Sequence, residues 1–221
     1  MTFRFIKIDE ALLGDHYYLT AADECYYLGD YHPHGGYQAG PINQLISNFK
    51  KPVSKRGRPE YRYKLQAIAQ VGRYIREGIR PEALAGSTFI PIPPSKAKSD
   101  PDYDDRAVRA LSSGQPTLDV RELFVARKST RAHHEYQQGE KRPTPDELYD
   151  LLAIDQACLT APLKGTVMIF DDLLTAGTHF KACQRHVLEH AGPGTRVIGL
   201  FIGRRKPPSI EDMFEDLTAG D

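Results

Sequence analysis

The chain has 221 residues, of which 29 are basic and 29 acidic, so its formal net charge is zero. A neutral chain has no overall field that would draw it to nucleic acid or membrane, and no apolar run approaches the ~18 residues that span a bilayer. The N-terminus lacks the apolar segment of a signal peptide, and three widely separated cysteines favour neither a disulfide framework nor a thiolate zinc site. We therefore expect a cytoplasmic protein with no membrane partner.

Residues 1–60 are predicted to form an N-terminal appendage, a small β-rich hood followed by a basic linker. A helical apolar pattern at 41–49 precedes five cations between Lys50 and Arg58, which is typical of a solvated connector. Half of the 12 tyrosines precede this helix, either as amphipathic strand residues or as a stacking wall for a planar base. The predicted strands of the hood are residues 3–8, 17–20 and 25–28.

Residues 61–205 are predicted to form an α/β domain with a parallel sheet, because helix and strand patterns alternate along them. One helix begins at a capping box on Thr144 and is expected to run to about Ala157. Residues 206–221 are predicted to be an acidic tail. The other predicted elements are a helical stripe of Leu65, Ile68, Ala69, Gly72 and Ile75, strands at 88–92, 120–125, 167–170 and 196–202, and helices at 107–111 and 179–190.

The most informative stretch runs from Val167 to His179. Its apolar start predicts a strand buried on both faces of the sheet, and Asp171 and Asp172 follow directly. The small residues 175–178 let the backbone approach a ligand, and the N-terminus of the next helix favours an anion. Ligands of open α/β sheets lie beyond the carboxyl ends of strands, where carboxylates can accept hydrogen bonds from vicinal hydroxyls. A ribose 5-phosphate satisfies both requirements.

This stretch resembles the signature of type I phosphoribosyltransferases, in which an apolar strand, an acidic pair and a Thr/Gly-rich loop bind phosphoribosyl pyrophosphate (PRPP). The resemblance implies that Asp171 and Asp172 bind the ribose hydroxyls. It also implies a Mg²⁺ cofactor that binds through the substrate, with Asp171 as the one candidate protein ligand. His179 stands where the family usually closes the loop with Ser or Thr. The implied phosphate contacts are Leu174, Thr175, Ala176, Gly177, Thr178 and His179.

The proline-rich turn after the strand at 88–92 is similar to the pyrophosphate loop of the ComF-like branch of this family. The zinc cysteines that are common before the catalytic domain of that branch are missing here, and acidic residues at 100–105 replace its Arg and Asn. Residues 127–142 stand where the family has a mobile loop, and a plain basic surface loop is the alternative. The implied leaving-group contacts are Ser95, Lys96, Lys98, Lys141 and Arg142.

The resemblance implies an enzyme that transfers ribose 5-phosphate from PRPP to a nitrogen acceptor and releases pyrophosphate. Two other functions stay open. One is a PRPP- or nucleotide-sensing regulator, since carboxylates at 100–105 would repel the leaving group. The other is a ComF-like accessory role in DNA uptake, against which the zero net charge weighs. The absence of a G-x-x-x-x-G-K-[ST] motif argues against a P-loop NTPase.

A simpler interpretation of the acidic pair is that Asp171 and Asp172 only begin the helix that follows them, as aspartate often does. That interpretation accounts for the carboxylates. It leaves the small residues 175–178 without a role, and the ligand-binding interpretation explains both.

Overall fold

The computed structural model describes residues 4–33, 35–126 and 143–207, and it shows an α/β fold with a mostly parallel sheet flanked by helices. The strands are β1 (Ile6–Lys7), β2 (Glu24–Tyr27), β3 (Asp30–Tyr31), β4 (Ser87–Pro91), β5 (Asp119–Val120), β6 (Phe124–Ala126), β7 (Leu152–Ile154), β8 (Thr166–Leu174) and β9 (Arg196–Arg205). The α-helices are α1 (Glu10–Leu13), α2 (Pro41–Phe49), α3 (Tyr61–Gly78), α4 (Pro81–Ala85), α5 (Arg106–Ser112), α6 (Pro145–Leu151) and α7 (Thr178–His190). Short 3₁₀ turns cover Tyr37–Ala39, Val53–Lys55 and Gln156–Leu159.

The central sheet has the strand order β1-β2-β9-β8-β4-β5, and β3 continues the pairing with β9 beyond the end of β2. Its strand pairs are parallel except for β1 with β2. β8 lies between β9 and β4, so neighbouring strands bind its backbone on both sides. Residues 167–170 of β8 are buried, as a continuous apolar run predicts for an inner parallel strand.

Apolar cores lie on both faces of this sheet. On one face, residues of α2, α3 and α5 pack around Phe170 of β8. On the other face, α7 packs against Ile169. Because successive strand residues point to opposite faces, Asp172 emerges on the side of α2 and α5, and Asp171 on the side of α7.

Several predicted elements of the α/β fold are confirmed. The apolar runs at 88–92, 167–170 and 196–202 form the adjacent strands β4, β8 and β9. α7 begins one residue before the predicted start and ends at the predicted His190. Thr144 forms the predicted capping box at the start of α6: its hydroxyl accepts the N–H of Glu147, whose side chain accepts the N–H of Thr144.

The strands of the predicted hood belong instead to the central sheet. β2 pairs with residues 198–201 of β9, and β3 pairs with its last two residues. Residues 17–20, predicted as a strand, lie in a turn and the extended segment after it. β9 is buried over most of its length, so its second edge needs backbone partners, and β2 supplies them.

Two elements after β4 also differ from their predictions. The strand predicted at 120–125 is divided between β5 in the central sheet and β6, which forms an antiparallel ribbon with β7. Arg121 still donates its N–H to the Phe89 carbonyl of β4 (2.9 Å), and the chain then leaves the sheet. The helix predicted at 144–157 stops at the end of α6, because the apolar residues of β7 pair with β6 instead of extending the helix.

The buried face of α3 is rotated relative to the predicted stripe. Leu65 and Ala69 are exposed, whereas Lys64 is fully buried between Tyr61 and Ile68 on the core-facing side. Residues spaced three and four apart share a helix face, so Tyr61, Lys64 and Ile68 form one stripe. A lysine therefore occupies a core position, which requires polar partners inside the protein.

Some predictions fall outside the described residues. They include the loop at 127–142, with Lys141 and Arg142, and residues 208–221 of the acidic tail. Within the described ranges, every helix is too short or too polar to span a membrane.

Candidate functional site

A cleft opens at the carboxyl ends of β4 and β8. It brings Asp171 and Asp172 of β8 together with the proline turn 91–94 that follows β4. The position agrees with the general location of ligand sites in open α/β sheets. Other side chains that line the cleft are Phe49, Tyr103, Asp104, Arg106, Glu122 and Phe124.

Asp172 is the centre of an ion-pair network. Its side chain is only 6% exposed, and its oxygens accept from Lys50 Nζ (3.1 Å) and from the Arg106 guanidinium (2.6 Å). Burial alone would raise the pKa of Asp172, but the charges of Lys50 and Arg106 outweigh burial and hold the pKa below its usual value. Asp172 is therefore a carboxylate at neutral pH.

The network continues through Arg106 to the acidic segment at 100–105. Arg106 donates to Asp104 Oδ2 (2.9 Å), and the same oxygen accepts from Lys64 Nζ (2.6 Å). The buried Lys64 ammonium also donates to the carbonyls of Phe49 and Lys51 (3.0 and 2.8 Å), which satisfies all three of its N–H groups. The charge of Asp104 is thus offset by two cations, so this carboxylate does not act as the unpaired negative charge that the sequence suggests.

Asp171 has the opposite electrostatic character from its neighbour. Its Oδ1 accepts the backbone N–H of Asp172 (2.7 Å). Burial and the adjacent charge of Asp172 raise the pKa of Asp171, against the weaker effects of that hydrogen bond and of Lys50 and Arg106. The cleft therefore combines one firmly ionised carboxylate with one that takes up a proton more readily.

The two carboxylates should affect stability in opposite ways as pH changes. Both titrate near pH ~4 in the unfolded chain. The folded protein keeps the Asp171 proton to a higher pH, so the Asp171 contribution to the free energy of unfolding falls as pH rises from about 4 through the raised folded pKa. The Asp172 contribution is present above about pH 4 and is lost as pH falls toward its lowered folded pKa.

In the parent, ionisation of Asp171 lowers the free energy of unfolding as pH rises above about 4, and we expect Asp171→Asn to remove this decrease. Urea unfolding of the parent and the variant at about pH 5 and about pH 8 measures this difference. The parent should lose more stability than the variant between these two conditions. An equal loss in both proteins would contradict the raised pKa of Asp171.

The predicted phosphate cradle, residues 175–179, consists of the turn after β8 and the first residues of α7. Residues 175–177 link β8 to α7, and Gly177 has a left-handed backbone with φ of 86°. A Cβ at Gly177 would also lie 2.9 Å from a methyl carbon of Leu19, so this position favours glycine for two reasons. Thr178 and His179 begin α7, and the helix dipole is positive at this end.

The predicted phosphate contacts are not equivalent. The side chain of Leu174 is 1% exposed in the apolar core, so it is not available to a ligand. Thr178 is also buried, at 4% exposure, whereas Thr175, Ala176 and His179 are partly exposed. A helix N-terminus usually binds a phosphate through backbone N–H groups, and the partly exposed side chains of Thr175 and His179 stay candidates for additional contacts.

The predicted leaving-group contacts are only partly brought to the cleft. Ser95 and Lys96 lie partly exposed in the loop after the proline turn. Lys98 pairs with Glu122 (2.9 Å), which lines the cleft and also accepts from the Tyr103 hydroxyl (3.1 Å). Lys141 and Arg142 lie outside the described residues. In the part of the chain that the structure describes, no three His, Cys, Asp or Glu side chains form a metal cluster.

Several residues of this site are missed by sequence reasoning. Lys50 is interpreted as part of a solvated linker, yet it reaches Asp172, which lies 122 residues later. Arg106 carries no local signal in the sequence. Lys64 does carry a signal in the sequence, because it stands three residues after Tyr61 and four before Ile68 and therefore lies on an apolar helix face. A charge buried on such a face needs a polar partner.

Comparison with known proteins does not place the chain in a family. No family model matches the sequence, and no curated protein matches it. We therefore infer the function from the chemistry of the cleft and the turn.

Proposed function

We propose that the protein is a phosphoribosyltransferase that binds PRPP with Mg²⁺ and transfers ribose 5-phosphate to a nitrogen acceptor, releasing pyrophosphate. One observation carries the proposal. Two acidic residues line a cleft at the end of β8, and the same strand leads through a left-handed Gly177 into the N-terminus of α7. A ribose with a 5-phosphate presents hydroxyls and an anion a few ångströms apart, and this arrangement has acceptors and donors in the same order.

Asp171 and Asp172 would bind the ribose hydroxyls. A carboxylate has about four lone-pair sites, so the ion pairs of Asp172 with Lys50 and Arg106 leave acceptor capacity on both oxygens. Asp171 uses one oxygen for the N–H of Asp172, and its other oxygen remains for a hydroxyl. The two cations also keep Asp172 ionised, which strengthens the hydrogen bonds it accepts.

The turn at 175–179 would bind the 5-phosphate through backbone N–H groups. Its donors do not depend on side-chain identity, so His179 in place of the family's Ser or Thr leaves them in place. The carboxylates of Asp171 and Asp172 precede this turn and do not belong to it. Repulsion between carboxylate and phosphate is therefore limited by their separation along the ribose.

Charge and position would supply most of the catalysis. A departing pyrophosphate gains negative charge as the bond to the ribose breaks, so nearby cations lower the barrier. Lys50 is 37% exposed and Arg106 18%, and Arg106 lines the same cleft as the proline turn. Bound Mg²⁺ would add positive charge on the pyrophosphate oxygens, with Asp171 as the candidate oxygen ligand from the protein. The apolar walls at Phe49 and Phe124 would limit access of water to the reacting carbon.

PRPP with Mg²⁺ should stabilise the protein against heat. A ligand that binds only the folded state adds about 2.7 kcal/mol at 100 times its Kd, which raises the Tm of a protein of this size by roughly 5 to 10 °C. Differential scanning fluorimetry measures the shift, with Mg²⁺ and pyrophosphate as the control mixture. The absence of a shift with millimolar PRPP would contradict the ligand assignment.

A PRPP- or nucleotide-sensing regulator is the second candidate, and one observation favours it. Lys98 pairs with Glu122 at the cleft, so a predicted leaving-group cation is partly neutralised. Release of pyrophosphate from PRPP across purine, pyrimidine and nicotinamide-type acceptors distinguishes the two candidates. Measurable release supports the transferase, and firm PRPP binding without release from any acceptor supports the sensor.

A further inference from the structure

The N-terminal segment binds two consecutive carbonyls of the turn after β8. His16 Nδ1 donates to the Thr175 carbonyl (2.5 Å), and the Tyr18 N–H donates to the Ala176 carbonyl (2.8 Å). A carbonyl oxygen can only accept, so the imidazole hydrogen must be on Nδ1. His16 is fully buried, 159 residues from Thr175 in the sequence, and belongs to none of the residues that line the cleft.

These two hydrogen bonds set the direction of the next two N–H groups. A trans peptide is planar, and its C=O and N–H point in opposite directions. Because the carbonyls of Thr175 and Ala176 both point toward residues 16–18, the N–H groups of Ala176 and Gly177 both point away from that segment. Successive N–H groups on one side of a turn that includes a left-handed residue form an anion-binding concavity.

From this geometry we infer that His16 is a positioning residue for the phosphate cradle. Its Nδ1–H holds the peptide plane between Thr175 and Ala176, and so directs the donor of Ala176 toward the phosphate of the ligand. The inference rests on the proposed function, in which the cradle binds the phosphate group of a ribose 5-phosphate. It adds a residue and a mechanism that the acidic pair and the α7 N-terminus do not include.

The surroundings of His16 favour the neutral form of the imidazole ring. Burial, together with the charge of Arg204, lowers the pKa of His16 against the effects of the Thr175 hydrogen bond and of Asp15. Asp15 and Arg204 form an ion pair (2.7 Å), which attaches the segment to the end of β9. The charged groups that face the ring therefore come from its own segment and from β9.

Two amide substitutions at position 16 test the role of the Nδ1 donor. The side-chain N–H of asparagine can take the place of Nδ1–H, whereas that of glutamine lies one methylene farther out, near the place of Nε2. We expect His16→Gln to weaken binding of ribose 5-phosphate and of inorganic phosphate by roughly 3- to 10-fold, and His16→Asn to stay within about twofold of the parent. Tyr17→Phe is the control, because Tyr17 is 83% exposed in the same segment.

Isothermal titration with ribose 5-phosphate, inorganic phosphate and PRPP, and circular dichroism to confirm folding, separates the possible results. If the parent binds ribose 5-phosphate and His16→Gln binds it with the same affinity as His16→Asn, the positioning role is wrong and the proposed function stands. If the parent binds inorganic phosphate with the expected difference between the variants, but binds neither PRPP nor ribose 5-phosphate, the cradle stands and the proposed function fails. If the parent binds no phosphate compound, both are wrong.

A second measurement needs no variant and covers the case in which His16→Gln does not fold. Inorganic phosphate added to ¹⁵N-labelled parent protein should shift the amide resonances of Ala176 and Gly177. Shifts elsewhere that leave these two amides unchanged would overturn the inferred direction of the donors.

Discussion

Asp172→Asn is expected to lower the free energy of unfolding by about 3 kcal/mol, because removing one partner of a buried ion pair leaves the other charge uncompensated. In this variant the guanidinium of Arg106 loses its partner at position 172. Its side chain is 18% exposed and it donates to Asp172 at 2.6 Å. Arg106 keeps Asp104 as a second partner at 2.9 Å, which places the expected loss at the lower end of the usual range for buried pairs.

Asp171→Asn is the matched control, since it removes the same charge from the adjacent position of the same strand. Burial and the charge of Asp172 disfavour the ionised form of Asp171, so its removal should leave stability unchanged or raise it. Urea unfolding followed by circular dichroism at about pH 8 compares the two variants with the parent. If Asp172→Asn loses no more stability than Asp171→Asn, the loss cannot be assigned to the ion pairs of Asp172.

The large effect expected of Asp171→Asn is a loss of affinity for PRPP. Loss of a hydrogen bond between a charged acceptor and a ribose hydroxyl costs about 1.5 to 3 kcal/mol, which is roughly a 10- to 100-fold loss of affinity for PRPP. The variant stays folded on the argument above, so the loss can be assigned to binding. Isothermal titration with PRPP and Mg²⁺ at about pH 8 measures it, since Asp171 is then largely ionised in the parent.

Asp150→Asn provides the control for this measurement, because Asp150 is exposed on α6 and does not line the cleft. Its affinity for PRPP should equal that of the parent. If Asp171→Asn also binds PRPP as tightly as the parent, the acidic pair does not contact the ribose. The carboxylates would then serve only the ion-pair network and the start of the turn.

Much of the candidate site could be predicted because its parts are consecutive. The apolar run of β8, the acidic pair, the small residues and the α7 pattern follow one another within 166–190, and each pattern indicates its own element. The α/β class could be predicted for the same reason, since alternating strand and helix patterns produce the adjacent strands β4, β8 and β9.

Elements that depend on a distant partner could not be predicted in the same way. The apolar residues of β7 suit a helix as well as a strand, and pairing with β6 decides between them. β2 has the composition of an independent strand, and it joins the central sheet because β9 has an open edge. Local propensity differs by little between such alternatives, so the non-local hydrogen bonds determine the result.

By itself, the sequence determined a strand, an acidic pair, a glycine turn and a helix in that order, because each depends on residues close together in the chain. Only the tertiary structure decided which carboxylate is held ionised and what supports the turn. Lys50 and Asp172 are 122 residues apart, and His16 and Thr175 are 159 apart. Their contacts depend on where α2 and the N-terminal segment lie against the sheet, and burial with nearby charge then sets the pKa values of Asp171 and Asp172.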